Sequence, residues 1–196
     1  MQEHAQGSDP YFLESGDKCH FFLEKDAVDP SGQLLSHISK FEAVNKAGHG
    51  LHTLEGTVFH EYSTGSDVCT LVRELGYLDP ILPQSMYIFK QPRLGDLVTS
   101  HQDSTFLWTT PRQTCLGLWL ALEDSSEENG CLWARPGSHL EPVRRHFARN
   151  PEFFDHGSGP MMVFEEKAEC CDISWEGGVP SNLNEAGFVP APMKAG

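Results

Sequence analysis

The sequence predicts an α+β fold with a jelly-roll-like sheet, in which a helical and irregular N-terminal part precedes a series of short strands. Three observations favour this class. The 196-residue chain contains 18 glycines and 13 prolines, a content typical of turn-rich β structure. One amphipathic helical pattern begins near Ser66. Strand-like segments then follow Pro83, separated by turn residues at the spacing of hairpins.

The N-terminal part contains a short predicted strand, a turn and the helix. Apolar and aromatic residues in segment 19–24 predict the strand, and residues 29–32 predict the turn. We expect Ser66 to be the N-cap of the helix, with Asp67 in its first turn and Gly76 as its stop. Between them, apolar residues recur at helical spacing. They are Val68, Leu71, Val72 and Leu75.

Three segments in the middle of the chain predict strands. Residues 85–90 alternate between apolar and polar side chains with a period of two, and residues 115–122 form the strongest strand pattern in the chain. A hairpin-type turn at 128–130 leads into a third strand at 131–133, and residues 136–139 predict a further turn.

One face of the segment 115–122 consists of leucines, and the other consists of Cys115, Gly117, Trp119 and Ala121. In a barrel or sandwich, such a face turned inward would leave open volume beside an aromatic wall. Alternatively, the small residues would admit a helix packed on the sheet. The pattern alone leaves both interpretations open.

Charge and motif content exclude several classes of protein. A net charge of −14 and a pI near 5.0 make nucleic-acid and peripheral membrane binding unfavourable. We expect no membrane span and no signal peptide, and therefore a cytoplasmic protein. The six cysteines form no Cys-x-x-Cys pair, which indicates reduced thiols rather than a disulfide framework or a zinc site.

The main candidate for chemistry is His101-Gln102-Asp103. Residues at i and i+2 share one face of a strand, so His101 and Asp103 would offer an imidazole nitrogen and a carboxylate oxygen to one point. A third ligand would complete the 2-His-1-carboxylate set that holds Fe(II) in oxygenases. A His-x-Asp tripeptide by itself is common by chance, so the hypothesis depends on its context.

Several segments in chain order resemble the phytanoyl-CoA dioxygenase family. The similarity covers about residues 9–140, and several motifs that agree in order are more specific than any one of them. These segments are 15–18, 45–52, 84–92, 101–103, 117–119, 128–133 and 136–139.

The resemblance implies a double-stranded β-helix (jelly-roll or cupin-like) core and an oxygenase that uses Fe(II) with 2-oxoglutarate as co-substrate. By this resemblance His101 and Asp103 are the catalytic residues and the first two metal ligands. The same resemblance implies a 2-oxoglutarate pocket lined by Lys46, Met86, Gln102 and Trp119. Lys46 would be a compact cation for a dicarboxylate, Met86 an adaptable apolar lining and Trp119 an aromatic wall.

The resemblance also implies a third ligand, a histidine on a later strand. Residues 188–196 resemble the approach to that strand, and neither His146 nor His156 lies in a strand-like context. We therefore expect a core that is incomplete at the C-terminus and an impaired site, as in a fragment, an alternative isoform or an imperfect gene model. The whole chain, 1–196, is then one partial domain. Its parts are a helical and irregular segment at 1–80, jelly-roll strands at 81–140 and a loop-rich tail at 141–196.

The leading hypothesis is therefore an Fe(II)- and 2-oxoglutarate-dependent dioxygenase that hydroxylates a small-molecule substrate with O₂. The alternative is a catalytically inactive isoform or fragment that acts only as a binding or interaction protein. A third possibility is a cupin-like metal-binding sheet with other chemistry, which would bind metal without an effect of 2-oxoglutarate. The primary substrate and the oligomeric state are not readable from the sequence.

Overall fold

A computed structural model describes residues 9–95, 98–167 and 182–196 of the chain. Contacts between Cα atoms divide the chain into two compact units, Met1–Asp96 and Leu97–Gly196. Each unit combines helical segments with antiparallel strand pairs, which confirms the mixed α and β composition. Within the described residues the strands form separate small sheets of two or three strands, and no closed barrel is present.

The first unit is built on a three-stranded antiparallel sheet with the order β1-β2-β3. Its strands are β1 (Cys19–Leu23), β2 (Val44–His49) and β3 (Ser85–Ile88), and its helices are α1 (Pro10–Leu13), α2 (Val58–Thr64) and α3 (Ser66–Glu74). The predicted strands at 19–24 and 85–90 are confirmed. The central strand β2 was not predicted, since its residues carry no apolar alternation, and its pairing with both neighbours defines it.

Helix α3 confirms the amphipathic helix predicted in the N-terminal part. Its start differs by one residue, because Gly65 is the N-cap and Ser66 is the first helical residue. Gly76 adopts a φ of 94°, and its N–H donates to the carbonyl of Arg73 at 2.9 Å. A positive φ is readily available to glycine, so Gly76 ends the helix as predicted.

The second unit contains two separate antiparallel strand pairs, β4 with β7 and β5 with β6. Its elements are β4 (Leu132–Ala134), β5 (Arg145–Arg149), α4 (Pro151–His156), β6 (Met162–Glu166) and β7 (Val189–Ala191). The strand predicted at 131–133 is confirmed with a shift of one residue. The segment 141–196 was expected to be loop-rich, yet it contains the β5–β6 hairpin, α4 and β7.

The prediction of a strand at 115–122 is wrong for this structure. Within the described residues this segment joins no strand ladder, and its four leucines are exposed. Apolar alternation specifies which face a strand would bury, but a strand also needs a hydrogen-bonded neighbour. That neighbour is absent from the described part of the chain.

Two further expectations concern membranes and cysteines. None of the helices in the described ranges combines the length and the apolar character needed to cross a bilayer. Among the described residues, four cysteines are free thiols. They are Cys19, Cys69, Cys115 and Cys131, whereas Cys170 and Cys171 lie outside the described residues.

Candidate functional site

The side chains of His101 and Asp103 point toward each other in the second unit. His101 Nε2 lies 3.3 Å from Asp103 Oδ1. Gln102 between them is extended, with φ −103° and ψ 129°, and Asp103 begins a short 3₁₀ helix, Asp103–Thr105. An extended central residue places its two neighbours on the same side. The two groups therefore meet as the spacing predicts, although the segment is not part of a described sheet.

A backbone contact fixes the orientation of the His101 ring. His101 Nδ1 lies 2.7 Å from the carbonyl oxygen of Thr99. A carbonyl can only accept, so Nδ1 carries a proton and donates it. In the neutral ring, Nε2 then presents a lone pair to the carboxylate of Asp103. When His101 is protonated, Nε2 donates to Asp103 instead, and this hydrogen bond lowers the pKa of Asp103 below its ordinary value, against the opposing effect of burial.

This pair has the geometry of two adjacent metal ligands. Two lone pairs 3.3 Å apart repel unless a cation, a proton or a metal ion, lies between them. Two ligand atoms about 2.1 Å from a metal and at right angles to each other are about 3 Å apart. The Nδ1–H bond to a carbonyl is also the usual second contact of a metal-binding histidine. Fe(II) therefore fits these two residues.

Within the described ranges, no third metal ligand lies beside the pair. Among the described residues, no group of three or more His, Cys, Asp or Glu side chains is arranged to hold a metal ion. His146 was expected to lie outside any strand-like context, and that expectation is wrong, because it lies in β5. Its ring stacks on Trp108 with the centroids 4.8 Å apart, and its Nδ1 lies 3.6 Å from Glu165 Oε2.

Gly117 lies against the other oxygen of the Asp103 carboxylate. A Cβ atom at position 117 would be 3.2 Å from Asp103 Oδ2, tighter than ordinary van der Waals contact. The small-residue face of the segment 115–122 thus admits a carboxylate at this position, an interpretation that the sequence pattern did not include. Asp103 is held between the His101 ring and the Gly117 backbone.

We expect Gly117→Ala to weaken metal binding several-fold. The added methyl group would displace the Asp103 carboxylate by a few tenths of an ångström, away from the position that faces His101. The affinity for Mn(II), measured by isothermal titration, reports this shift. Gly16→Ala is the matched control, because a Cβ atom at Gly16 has nothing within 4 Å. Equal Mn(II) affinities in both variants would contradict the prediction.

Lys46 and Met86 share one face of the sheet in the first unit. Met86 lies opposite Gly48 in the register of β2 and β3, and Gly48 is two residues from Lys46. Residues opposite each other, and residues two apart on one strand, face the same side. A Cβ atom at Gly48 would be 2.7 Å from Met86 Cβ, so glycine at position 48 leaves room for the Met86 side chain on this face.

The Lys46 ammonium group lies between two aromatic rings. Its Nζ is 5.5 Å from the centroid of the Phe12 ring and 5.3 Å from that of Phe22, within the range of cation–π contacts. Burial lowers the pKa of Lys46. In the described part of the chain no carboxylate forms an ion pair with Lys46. A half-buried cation of this kind is suited to an anionic ligand.

The remaining two predicted pocket residues lie in the second unit. Trp119 is 44% exposed and lies two residues beyond Gly117. Gln102 hydrogen-bonds through its amide to the backbone of Pro142 and Arg144. The structure therefore groups Lys46 with Met86 in one unit and His101 with Asp103 in the other.

Sequence reasoning missed three contributors to these arrangements. Thr99 acts through its backbone carbonyl, for which no side-chain pattern exists. Phe12 and Phe22 surround Lys46 from α1 and β1. The aromatic residues of segment 11–13 are visible in the sequence, but only the three-dimensional structure shows that Phe12 approaches Lys46. The sheet register places Phe22 opposite Lys46.

The chain belongs to the phytanoyl-CoA dioxygenase family, whose family model matches residues 1–196. Among individual proteins it is similar to phytanoyl-CoA dioxygenase domain-containing protein 1 of Rattus norvegicus, with 44% identity over 195 residues, 100% of this chain and 60% of the rat protein. The Danio rerio protein of that name is 40% identical over 192 residues, 98% of this chain and 60% of its own length.

A plant relative has a similar percentage identity to this chain. Phytanoyl-CoA dioxygenase 1 of Oryza sativa subsp. japonica is 45% identical over 159 residues, which is 80% of this chain and 55% of the rice protein. The chain thus spans at most 60% of the length of these three relatives.

Proposed function

We propose that this chain contributes to an Fe(II)- and 2-oxoglutarate-dependent dioxygenase that hydroxylates a small-molecule substrate on a double-stranded β-helix core. The observation that carries the proposal is the pair of acceptors, His101 Nε2 and Asp103 Oδ1, which lie 3.3 Å apart. Family membership supports it, because the rice relative and the family model are both described as phytanoyl-CoA dioxygenase.

The proposed roles come from the resemblance to the family, and the contacts of His101 and Lys46 support them. His101 and Asp103 hold the metal, and the Thr99 carbonyl keeps the proton on His101 Nδ1 so that Nε2 faces the metal. Bound Fe(II) with 2-oxoglutarate supplies O₂ activation coupled to oxidative decarboxylation, which yields succinate and CO₂. By the resemblance to the family, Lys46 would bind a carboxylate of the co-substrate, Met86 would be an apolar lining residue and Trp119 an aromatic wall.

We expect Lys46→Gln to raise the dissociation constant of 2-oxoglutarate by about 10- to 100-fold, the usual value of a hydrogen bond to a charged group. Mn(II) affinity without 2-oxoglutarate should stay unchanged, since Lys46 is not proposed as a ligand. Titration of 2-oxoglutarate into Mn(II)-loaded protein measures the effect. Lys40→Gln, at an exposed position, is the charge-matched control. A loss equal to that of the control would refute the role of Lys46.

A non-catalytic binding protein is the second candidate, and a specific observation favours it. The described residues bring together two potential ligands without a third His, Cys, Asp or Glu beside them. Two protein ligands hold Fe(II) more weakly than three. We therefore propose, as this second candidate, that the 196-residue chain by itself binds metal and 2-oxoglutarate weakly and does not catalyse hydroxylation.

The test is a titration of Mn(II), and of Fe(II) without oxygen, in the presence and absence of 2-oxoglutarate. The oxygenase proposal expects each ligand to increase the affinity of the other by the same factor. Metal binding that 2-oxoglutarate does not change would favour a cupin-like site with other chemistry. A decarboxylation assay then separates an active from an inactive chain, and rapid turnover would refute the proposed impairment.

A further inference from the structure

Gln102 lies between the two proposed ligands, and its side chain makes a two-point contact with another backbone segment. Its Nε2 donates to the carbonyl of Pro142 at 3.2 Å, and its Oε1 accepts from the N–H of Arg144 at 3.1 Å. An amide N–H can only donate and a carbonyl can only accept, so these two partners fix which end of the amide is which. The side chain thus pairs with this backbone as a peptide group would.

The segment that Gln102 contacts is itself firmly held. Arg144 is buried, and its carbonyl accepts from Lys167 N–H at 2.6 Å, which continues the ladder of β5 and β6. Its guanidinium group hydrogen-bonds Glu141, and Arg135 contacts the same carboxylate at 2.5 Å. Gln102 therefore connects the His-x-Asp segment to the start of a hydrogen-bonded hairpin.

We propose that Gln102 is a positioning residue for the two metal ligands rather than a residue that binds 2-oxoglutarate. Because Gln102 is extended, a side chain tied to residues 142 and 144 directs His101 and Asp103 to the opposite side. The carbonyl of Gln102 also accepts from Thr105 N–H at 3.0 Å, so the same residue holds the short helix that Asp103 begins. This assignment rests on the proposed function.

The experiment compares Gln102→Ala with Gln113→Ala. Gln113 makes a similar two-point amide contact in the same unit, to both the N–H and the carbonyl of Thr109, but away from the ligand pair in sequence. Gln102→Ala should weaken Mn(II) binding about 10- to 100-fold, as for other residues that orient metal ligands. At saturating Mn(II), its dissociation constant for 2-oxoglutarate should stay within about twofold of wild type, and Gln113→Ala should change neither value.

Two results of these titrations would overturn the proposal. One is an unchanged Mn(II) affinity in Gln102→Ala. The other is a weakened affinity for 2-oxoglutarate at saturating Mn(II), which would indicate that the Gln102 amide touches the co-substrate.

A metal-free measurement keeps this inference separate from the proposed function. In protein without metal, Gln102→Ala should accelerate amide hydrogen exchange at Arg144 and Thr105, whereas Gln102→Glu retains an acceptor for the Arg144 N–H and should leave Arg144 protected. If the wild-type chain binds no Mn(II), the proposed function fails. Amide hydrogen exchange alone then decides whether Gln102 holds the two segments that it contacts. Faster exchange at both amides supports this role, and unchanged exchange overturns it.

Discussion

Removal of either proposed ligand, by His101→Ala or Asp103→Asn, is expected to lower the affinity for Mn(II) by at least about 100-fold. Residues that only orient a ligand already contribute about 10- to 100-fold, so loss of the ligand itself should cost no less. The folded state should be little affected, because the His101 and Asp103 side chains are 37% and 63% exposed and such exposed pairs contribute at most about 1 kcal/mol. Isothermal titration with Mn(II), with circular dichroism to check folding, measures both effects.

The double variant provides a stricter test of the same site. If the two groups bind one ion together, each single variant already removes most of the affinity, and the double variant should be only slightly worse. His139→Ala and Asp155→Asn are matched controls, because both positions are exposed and lie in the same unit. Retention of Mn(II) binding in both single variants would remove the basis of the oxygenase proposal.

The meeting of His101 and Asp103 could be predicted from the sequence because it depends on local geometry alone. An extended residue at 102 is sufficient to place its neighbours on one side, whether or not the segment joins a sheet. The partners of these side chains depend on long-range contacts. Nothing in the spacing indicates that Gly117 backs the Asp103 carboxylate, or that Gln102 reaches Pro142 and Arg144 some forty residues later.

The same distinction explains which strands were predicted. β1 is visible as a run of apolar and aromatic residues and β3 through its alternation, whereas β2 has small and polar residues and is defined by its pairing with both. The β5–β6 hairpin was missed because a single aromatic residue in β5 lies among charged neighbours. Its stabilising contact, Phe147 opposite Phe164 with ring centroids 4.7 Å apart, appears only once the two strands are paired. Conversely, segment 115–122 shows apolar alternation but pairs with no strand among the residues that the structure describes.

His49 is a residue whose chemistry only the structure could reveal. His49 is 4% exposed in β2, and its hydrogen-bond partner Ser15 is 1% exposed. Ser15 Oγ donates to the Phe12 carbonyl at 2.6 Å, so His49 Nδ1, 2.6 Å from Ser15 Oγ, is the donor in their contact. The rings of Phe12 and Phe22 flank the imidazole at 4.9 and 5.2 Å.

This environment favours the neutral imidazole and links folding to pH. Burial, followed by the positive charges of Lys46 and His20, lowers the pKa of His49 to about 4. In the unfolded chain the pKa should be about 6.5. Between these values the unfolded state binds the proton and the folded state does not, so stability is greatest above about pH 6.5 and falls as the pH decreases toward 4.

We expect His49 to account for a loss of about 2 kcal/mol in the free energy of unfolding between pH 7 and pH 5. Urea unfolding followed by far-UV circular dichroism at the two pH values measures the total change, to which carboxylates also contribute. His49→Gln cannot take up this proton, so its loss over the same interval should be smaller by about 2 kcal/mol, even if it is less stable at pH 7.

Comparing how the free energy of unfolding depends on pH in the variants and in wild type separates the effect of protonation from that of packing. Replacing a buried ring lowers stability at every pH, whereas a titrating group changes only the dependence on pH. His139→Gln, at an exposed position, should lose as much stability as wild type between pH 7 and pH 5. If His49→Gln also follows the wild-type slope, the imidazole takes up its proton in the folded state as readily as in the unfolded one. The contact with Ser15 and the two phenylalanine rings would then not keep His49 neutral.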